Sequence, residues 1–238
     1  MTFAGHGQLC HDDAHDQCHG CIMDQAAAQD LPQDNKLASR RVVRACRKAV
    51  LSTLLAEGGA PYGSLVTVAL DHDLSPILLL SAMSDHSRNI AGDARVSLLF
   101  DGTDGHPNPQ TGPRVTVMGR AEKTGDPRLR ARFLARHPGA ALYADFADFS
   151  FWRVVPERVH FVGGFGRAVW LPAPFGIDPT VAAAFAVAPE PAGIVGWDLD
   201  GVDVIRGDVS MRISFDRPVE SPASAHNAWE NLQFQGQK

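Results

Sequence analysis

The stretch that decides the fold is Pro61-Tyr-Gly-Ser-Leu-Val-Thr-Val-Ala-Leu70, followed by Pro76-Ile-Leu-Leu-Leu-Ser-Ala-Met-Ser-Asp-His-Ser-Arg-Asn89. Two apolar runs of strand length are joined by the short polar turn Asp71-His-Asp-Leu-Ser75. The second run ends in small hydroxyls, a histidine and an arginine. Because hydroxyl, imidazole and guanidinium groups at the end of a strand can hold a phosphate, this stretch predicts an anion site as well as a sheet.

The elements before and after this stretch are also mostly strands. Apolar residues at helical spacing predict an amphipathic helix from residue 38, which leads into a strand at 49–55. Asp126-Pro127 opens a second helix, since Asp is a good N-cap and Pro suits the first helical position. Ser84 or Asp85 is a candidate cap for a short helix. Further strands are predicted at 63–70, 76–82, 95–101, 114–122, 149–156 and 159–171.

The order of these elements predicts a mainly β (α+β) chain. Many strands with few helices between them favour a barrel whose ends are covered by helices, over about residues 38–171. The Pro-rich linker 172–179 separates it from a small C-terminal α/β module at 180–219. There we expect a helical turn at 180–187 and a hairpin of strands 193–205 and 209–215 around Gly207.

Composition narrows the function. The chain has 238 residues and a formal net charge of −5, so nucleic acid is not an expected partner. An apolar run approaching the roughly 20 residues of a membrane span is absent from the sequence. Four Cys in a chain of this length do not form a disulfide scaffold, and the N-terminus lacks the pattern of a signal peptide. We therefore expect a cytoplasmic protein with reduced thiols.

The two termini are expected to lie outside the folded unit. Residues 1–37 are polar and Cys/His-rich, which predicts a flexible arm. The spacing Cys18-x-x-Cys21, together with Cys10 and His19, makes a structural zinc site one interpretation. Adventitious metal capture and haem capture are the alternatives. Glu230-Asn-Leu-Gln-Phe-Gln-Gly236 is similar to a protease-cleavage tag, so residues 225–238 are interpreted as a tag or tail.

Several short motifs in the barrel region resemble one known family. The chain looks like the pyridoxamine-phosphate-oxidase-like FMN-binding split barrels, and most of all their haem-utilisation (HugZ-like) branch. The order and spacing of the motifs carry this resemblance over some 130 residues. The motifs are Tyr62-Gly-Ser-Leu-Val66, Leu80-Ser81, His86-Ser-Arg-Asn89, Arg95-Val-Ser-Leu-Leu99, Gly112-Pro-Arg-Val-Thr116, Gly119-Arg-Ala-Glu122, Asp148-Phe149 and Gly163-Gly-Phe-Gly-Arg167.

The resemblance implies an FMN pocket built from these motifs. Ser64 and Val66 would run beside the flavin ring and contribute mostly backbone, and Ser81 would bond the ribityl or phosphate end. In the family an Arg-Lys pair holds the phosphate, and His86 and Ser87 stand at that place. The remaining implied contacts are Arg88, which could compensate for the lost charge, Arg114 from the next strand or across a dimer interface, and Phe165 in the glycine-rich run.

The same residues have plainer interpretations. The set Ser81, His86, Ser87 and Arg88 fits an ordinary helix cap with a solvated arginine. Arg114 alternates with Thr116 and Met118 on one strand face, where an arginine is usually exposed or ion-paired. Within a strand, Gly163-Gly-Phe-Gly166 fits a bulge or a tight bend at a barrel corner.

The resemblance implies three functions. The first is a homodimeric FMN-dependent oxidoreductase acting on a small-molecule substrate. The second is haem binding or haem degradation without flavin, with porphyrin in the dimer cleft and Arg114 facing a propionate or bound oxygen. The candidate axial ligands are His86, His160 and the N-terminal histidines. The third is a non-enzymatic binding or regulatory module. One departure bears on all three, because the family's His-Met-Asn…Asp-His helix is replaced here by residues 175–191, which contain no histidine.

Overall fold

The computed structural model describes residues 31–206 and 209–235. The α-helices of these ranges are Asn35–Ala45 (α1), Asp85–Gly92 (α2), Pro127–Arg136 (α3), Pro179–Val187 (α4) and Pro222–Gln235 (α5). The strands are Lys48–Leu54 (β1), Pro61–Thr67 (β2), Ala69–Leu70 (β3), Pro76–Ser81 (β4), Arg95–Asp101 (β5), Arg114–Lys123 (β6), Phe149–Val162 (β7), Ala168–Pro172 (β8), Gly196–Asp198 (β9), Gly201–Arg206 (β10) and Val209–Ser214 (β11).

The larger sheet is a curled, antiparallel half-barrel. Its strands are hydrogen-bonded in the order β2-β1-β5-β6-β7-β4-β3, and β8 pairs with the far half of β7. The curl brings β2 close to β4, although the hydrogen-bonded path does not join them. This gap is the split of the barrel. The fold class predicted from the sequence, a mainly β split barrel with flanking helices, is confirmed.

Over β1, β5 and β6 the sheet alternates between a buried inner face and a partly exposed outer face. In β1 the side chains of Ala49 and Leu51 are buried, whereas that of Val50 between them is 38% exposed. Inner side chains such as Phe100 and Phe161 form the core. This period of two is the pattern of strands that pack on one face. On the outer side, α3 covers Ile77 and Leu79 of β4, whereas the outer face of β1, β5 and β6 stays partly exposed.

The sequence was misread between residues 149 and 171. We expected strands at 149–156 and 159–171, whereas β7 runs unbroken through Pro156. Pro156 lies opposite Gly119, where the register shifts, and such a bulge tolerates a residue without an N–H. The strand ends at Val162, and Gly164 and Gly166 turn the chain with φ of 116° and 74°. The glycine run is therefore a hairpin turn and not part of a strand.

The C-terminal module contains a three-stranded sheet, in the order β11-β10-β9. Residues 193–205 do not form one strand, because Leu199 and Asp200 form a two-residue turn between β9 and β10, across which Asp198 pairs with Gly201. Beyond it, α5 replaces the tail expected from residue 225. Ala225 is fully buried in the main core, and Trp229 and Leu232 pack against that core. The expectation of an unstructured tail from residue 225 is therefore wrong as far as Gln235.

Helix α1 joins the barrel to the C-terminal module. It begins three residues earlier than expected, since the carboxylate of Asp34 caps it by accepting a hydrogen bond from the backbone N–H of Lys36. Its Arg40 and Arg44 reach Asp200 with N···O distances of 2.9 and 3.1 Å. All three side chains are almost fully buried, so these ion pairs tie the two parts of the chain together away from water. Within the described ranges, the helices are too short or too polar to cross a bilayer.

Candidate functional site

The split of the barrel brings two of the predicted site residues together. Ser64 lies on β2 with its side chain toward the inner face, and His86 lies in the first turn of α2, just after β4. The Oγ of Ser64 and the Nδ1 of His86 are 3.1 Å apart and hydrogen-bonded. Sequence reasoning placed both residues at one ligand, and the structure does place them in contact.

The hydroxyls at the end of β4 are already hydrogen-bonded to the protein. Ser81 donates to the carboxylate of Asp148 at 2.6 Å, and Ser84 donates to the Ser81 carbonyl at 2.7 Å. Ser87 is buried, and its hydroxyl lies 3.0 Å from that of Ser84. These contacts fix the path from β4 into α2. They agree with the plainer interpretation of these serines as a helix-start cluster.

The positive charge expected beside these hydroxyls is weak. The guanidinium of Arg88 pairs with Asp85 at 2.5 Å and donates to the Met83 carbonyl at 2.9 Å. Burial lowers the pKa of His86 below its ordinary value, and the nearby Asp85 only partly opposes this. His86 is therefore mostly neutral at pH 7. A phosphate at this end of β4 would meet hydroxyls and one engaged arginine.

The outer face of the sheet carries a continuous row of larger side chains. The strand registers align one residue from each of six neighbouring strands, and four of the six side chains are apolar. Leu65 is 69% exposed at one end, and Trp170 is 53% exposed at the other. We call this set the outer row; its members are Leu65, Val50, Leu99, Thr116, His160 and Trp170.

The aromatic end of the outer row holds a histidine and a cation. The ring of His160 stacks on that of Trp170 with centroids 4.6 Å apart and planes inclined by 28°. The guanidinium of Arg158 covers the same indole at 4.3 Å from its centroid. His160 was considered from the sequence as an axial ligand. Trp170 and Arg158 were missed, although each directly neighbours an inward-facing apolar residue, Leu171 or Val159, and neighbours in a strand point to opposite faces.

Arg114 lies on the outer face, away from Ser64 and His86. It pairs across the sheet with Asp101 and Val162, and it shares its face with Thr116. Its Nη1 donates to the carbonyls of Gln110 and Gly112, each at 3.1 Å. Within one chain, Arg114 therefore does not converge with His86 and Ser87 on one anion. A second chain would have to supply it.

The remaining predicted site residues are scattered. Val66 is buried in the core, which fits a backbone role, and Phe165 is 79% exposed at the tip of the β7–β8 hairpin. The candidate zinc ligands Cys10, Cys18, His19 and Cys21 lie outside the described residues. Between residues 31 and 235, the described positions contain no group of three or more His, Cys, Asp or Glu arranged to hold a metal.

Comparison with known proteins agrees with the fold. Residues 31–174 match the family described as "CREG, beta-barrel". The chloroplastic non-canonical heme oxygenase HOZ of Arabidopsis thaliana is 37% identical over 113 residues, which make up 46% of this chain. The match spans 34% of that relative's own length.

Two solved structures share the fold. A heme binding protein from Mycobacterium smegmatis is 27% identical with a TM-score of 0.58, and the match covers 88% of this chain and all of that one. A protein of unknown function from Agrobacterium tumefaciens is 24% identical with a TM-score of 0.65, and the match covers 84% of this chain and 95% of that one.

Proposed function

This chain belongs to the CREG β-barrel family, and from that premise we propose that it binds haem on the outer face of its split barrel, between two copies of itself. The single observation that carries the proposal is the outer row. A strip of exposed apolar side chains with a histidine and a tryptophan at one end suits a large, flat, mostly apolar ligand. The Arabidopsis and Mycobacterium relatives, whose names refer to heme, support the same ligand.

The residues of the outer face have the chemistry that haem requires. An imidazole is the commonest axial ligand of haem iron, and His160 offers one. Stacking on Trp170 restrains the orientation of that ring, as groups behind a metal ligand commonly do. Arg114 and Arg158 would neutralise the propionates by charge-assisted hydrogen bonds. Bound haem would supply the redox-active iron, and these side chains would position it and restrict water.

A second copy of the chain completes this proposal. The outer row leaves Leu65 and Trp170 largely exposed, an arrangement more common at an interface than on the surface of a monomer. We expect an isologous homodimer that covers the row, with porphyrin in the cleft. The partner's copy of the sheet would also bring an Arg114 toward the split of the first subunit.

FMN stays a second candidate because of one contact. The hydrogen bond between Ser64 and His86 holds a polar pair at the split, beside the hydroxyls where the family places the flavin phosphate. Against it stands the weak positive charge there, since Arg88 is engaged by Asp85 and the pKa of His86 is lowered. An FMN-dependent oxidoreductase would therefore bind its cofactor weakly.

The absorbance spectrum of the purified full chain tests both candidates. We expect a Soret band on adding haem and weak or absent flavin absorbance. Flavin bands in the purified protein, without a Soret band on adding haem, would replace haem by FMN. A colourless protein that responds to neither ligand would leave a non-enzymatic binding module. If haem binds, loss of the Soret band on adding a reductant under air would support oxidative degradation.

A further inference from the structure

A small cavity lies where the barrel meets the C-terminal module. Its volume is about 20 Å³, enough for one particle the size of a water molecule. Its wall is formed by four arginines, one aspartate and several mostly apolar residues. We call it the junction cavity, and its charged lining residues are Arg44, Arg132, Arg136, Arg212 and Asp203.

The charges around the junction cavity do not balance. Ion pairs with N···O distances of 4.0 Å or less join the lining arginines into one network of five arginines and four carboxylates. The arginines are Arg40, Arg44, Arg132, Arg136 and Arg212, and the carboxylates are Asp198, Asp200, Asp203 and Glu190. When every group is ionised, the network keeps one positive charge.

Arg132 is the cation with the weakest pairing. Its nearest carboxylate oxygens are those of Glu190 at 3.8 Å and Asp198 at 4.0 Å, beyond hydrogen-bond distance. It donates instead to the carbonyl of Leu70 and contacts the Nε2 of His72 at 3.2 Å, and both partners are neutral acceptors. Its side chain is only 9% exposed, so water screens the charge poorly.

Arg44 leaves one donor unused. Its Nη1 donates to Asp198 at 2.6 Å and its Nε to Asp200 at 3.1 Å. Its Nη2 is buried and has no hydrogen-bond partner among the described residues. The side chain is only 3% exposed, so bulk water does not readily supply one. Leaving such a donor unpaired is costly, and the cavity that Arg44 lines has room for an acceptor.

We propose that the junction cavity binds a monatomic anion of the size of chloride. The anion accepts a hydrogen bond from Nη2 of Arg44 and neutralises the excess charge centred on Arg132. A cavity of about 20 Å³ suits one particle the size of a water molecule better than a polyatomic anion. A water molecule would satisfy the donor but not the charge. Because α1, α3 and the C-terminal sheet all contribute to the wall, the anion would strengthen the docking of the module on the barrel.

Diffraction from crystals grown in bromide tests the site directly. We expect an anomalous peak at the bromine edge within hydrogen-bond distance of Nη2 of Arg44. Density there without anomalous signal would mean water and would overturn the proposal, as would an empty cavity.

Thermal unfolding of the full chain tests the same site in solution. At equal ionic strength, we expect chloride to raise the Tm by about 2–4 °C over gluconate, which is too large for the cavity. Arg132→Gln removes the excess charge and should abolish this difference. Arg128→Gln on the same helix, which pairs with Asp71 and does not line the cavity, should retain it. Equal Tm values in both salts for the unmodified chain would refute the site. Should Arg132→Gln fail to fold, the bromide experiment decides.

Discussion

The Nδ1 of His86 lies 3.1 Å from the hydroxyl of Ser64, and this contact links α2 to the edge strand β2 across the split of the barrel. No backbone hydrogen bonds between described strands bridge the split, so this side-chain hydrogen bond helps to hold β2 against α2. The same burial that permits the contact lowers the pKa of His86. Position and charge at this residue are therefore coupled.

The first prediction concerns the charge of His86. Because its pKa lies below the ordinary value of 6.5, the imidazolium that attracts an anion is populated only on the acid side of that value. His86→Ala should weaken FMN binding at about pH 5.5 and have little effect at about pH 8, measured by fluorescence titration. His226→Ala, on the exposed face of α5, is the control. An equal loss at both pH values would point to the Ser64 contact and not to charge.

The second prediction concerns the axial ligand. His160→Ala should lower the affinity for haem by at least about tenfold and shift or broaden the Soret band, because the iron loses its nitrogen ligand. Absorbance titration of both proteins measures this. His226→Ala again serves as control and should bind normally. Unchanged spectra for His160→Ala would exclude His160 as the ligand.

The third prediction concerns the propionates. A charge-assisted hydrogen bond contributes about 1.5–3 kcal/mol, so Arg114→Ala should weaken haem binding by roughly 10- to 150-fold. Arg114→Lys keeps the charge and should lose less. If both variants bind like the unmodified chain, Arg114 serves only to hold the carbonyls of Gln110 and Gly112.

The fourth prediction concerns assembly. Light scattering should give twice the mass of one chain, and Leu65→Lys should reduce it to a monomer. A charge within an apolar interface is costly to bury. Val187→Lys is a matched control, because Val187 is 85% exposed on α4 and lies outside the outer row. A monomeric unmodified chain would remove the dimer from the proposed function.

The fifth prediction concerns acid stability. Burial lowers the pKa of His137 to about 4, so the unfolded state takes up this proton first as the pH falls. The corresponding stability is complete above about pH 6.5 and is lost as the pH falls to about 4, by at most about 3 kcal/mol at 1.36 kcal/mol per unit. His137→Gln keeps a donor for the Val68 carbonyl. It should reduce the change in the urea midpoint of unfolding between about pH 6.5 and pH 4. If the urea midpoint of His137→Gln changed with pH as much as that of the unmodified chain, the prediction would be wrong.

Local patterns predicted much of the barrel. The run from Pro76 to Ser81 forms a buried strand, and Asp126-Pro127 opens α3, because both signals act within a few residues. The strand through Pro156 was misread because its tolerance for proline depends on Gly119 of the neighbouring strand. A bulge between two strands is not visible in either one alone.

The site was predicted less well than the fold. The resemblance placed Ser64 beside the flavin ring and His86 at its phosphate; the hydrogen bond between the two side chains was not predicted. The spacing of the motifs could not tell that Arg114 faces the other side of the sheet, since a face depends on register. The network around Arg44 was missed because its partners are more than 150 residues away along the chain.

The separation of these residues along the chain also bears on the order in which they are synthesised and can pack together. Arg40 and Asp200 are 160 positions apart, so a ribosome makes α1 long before it makes the carboxylates that neutralise it. Until then, burying the arginines of α1 would leave charges unpaired in the interior, which is strongly unfavourable. We therefore expect α1, made first among the described elements, to dock only after the hairpin of β9 and β10, which carries Asp198 and Asp200, has been made.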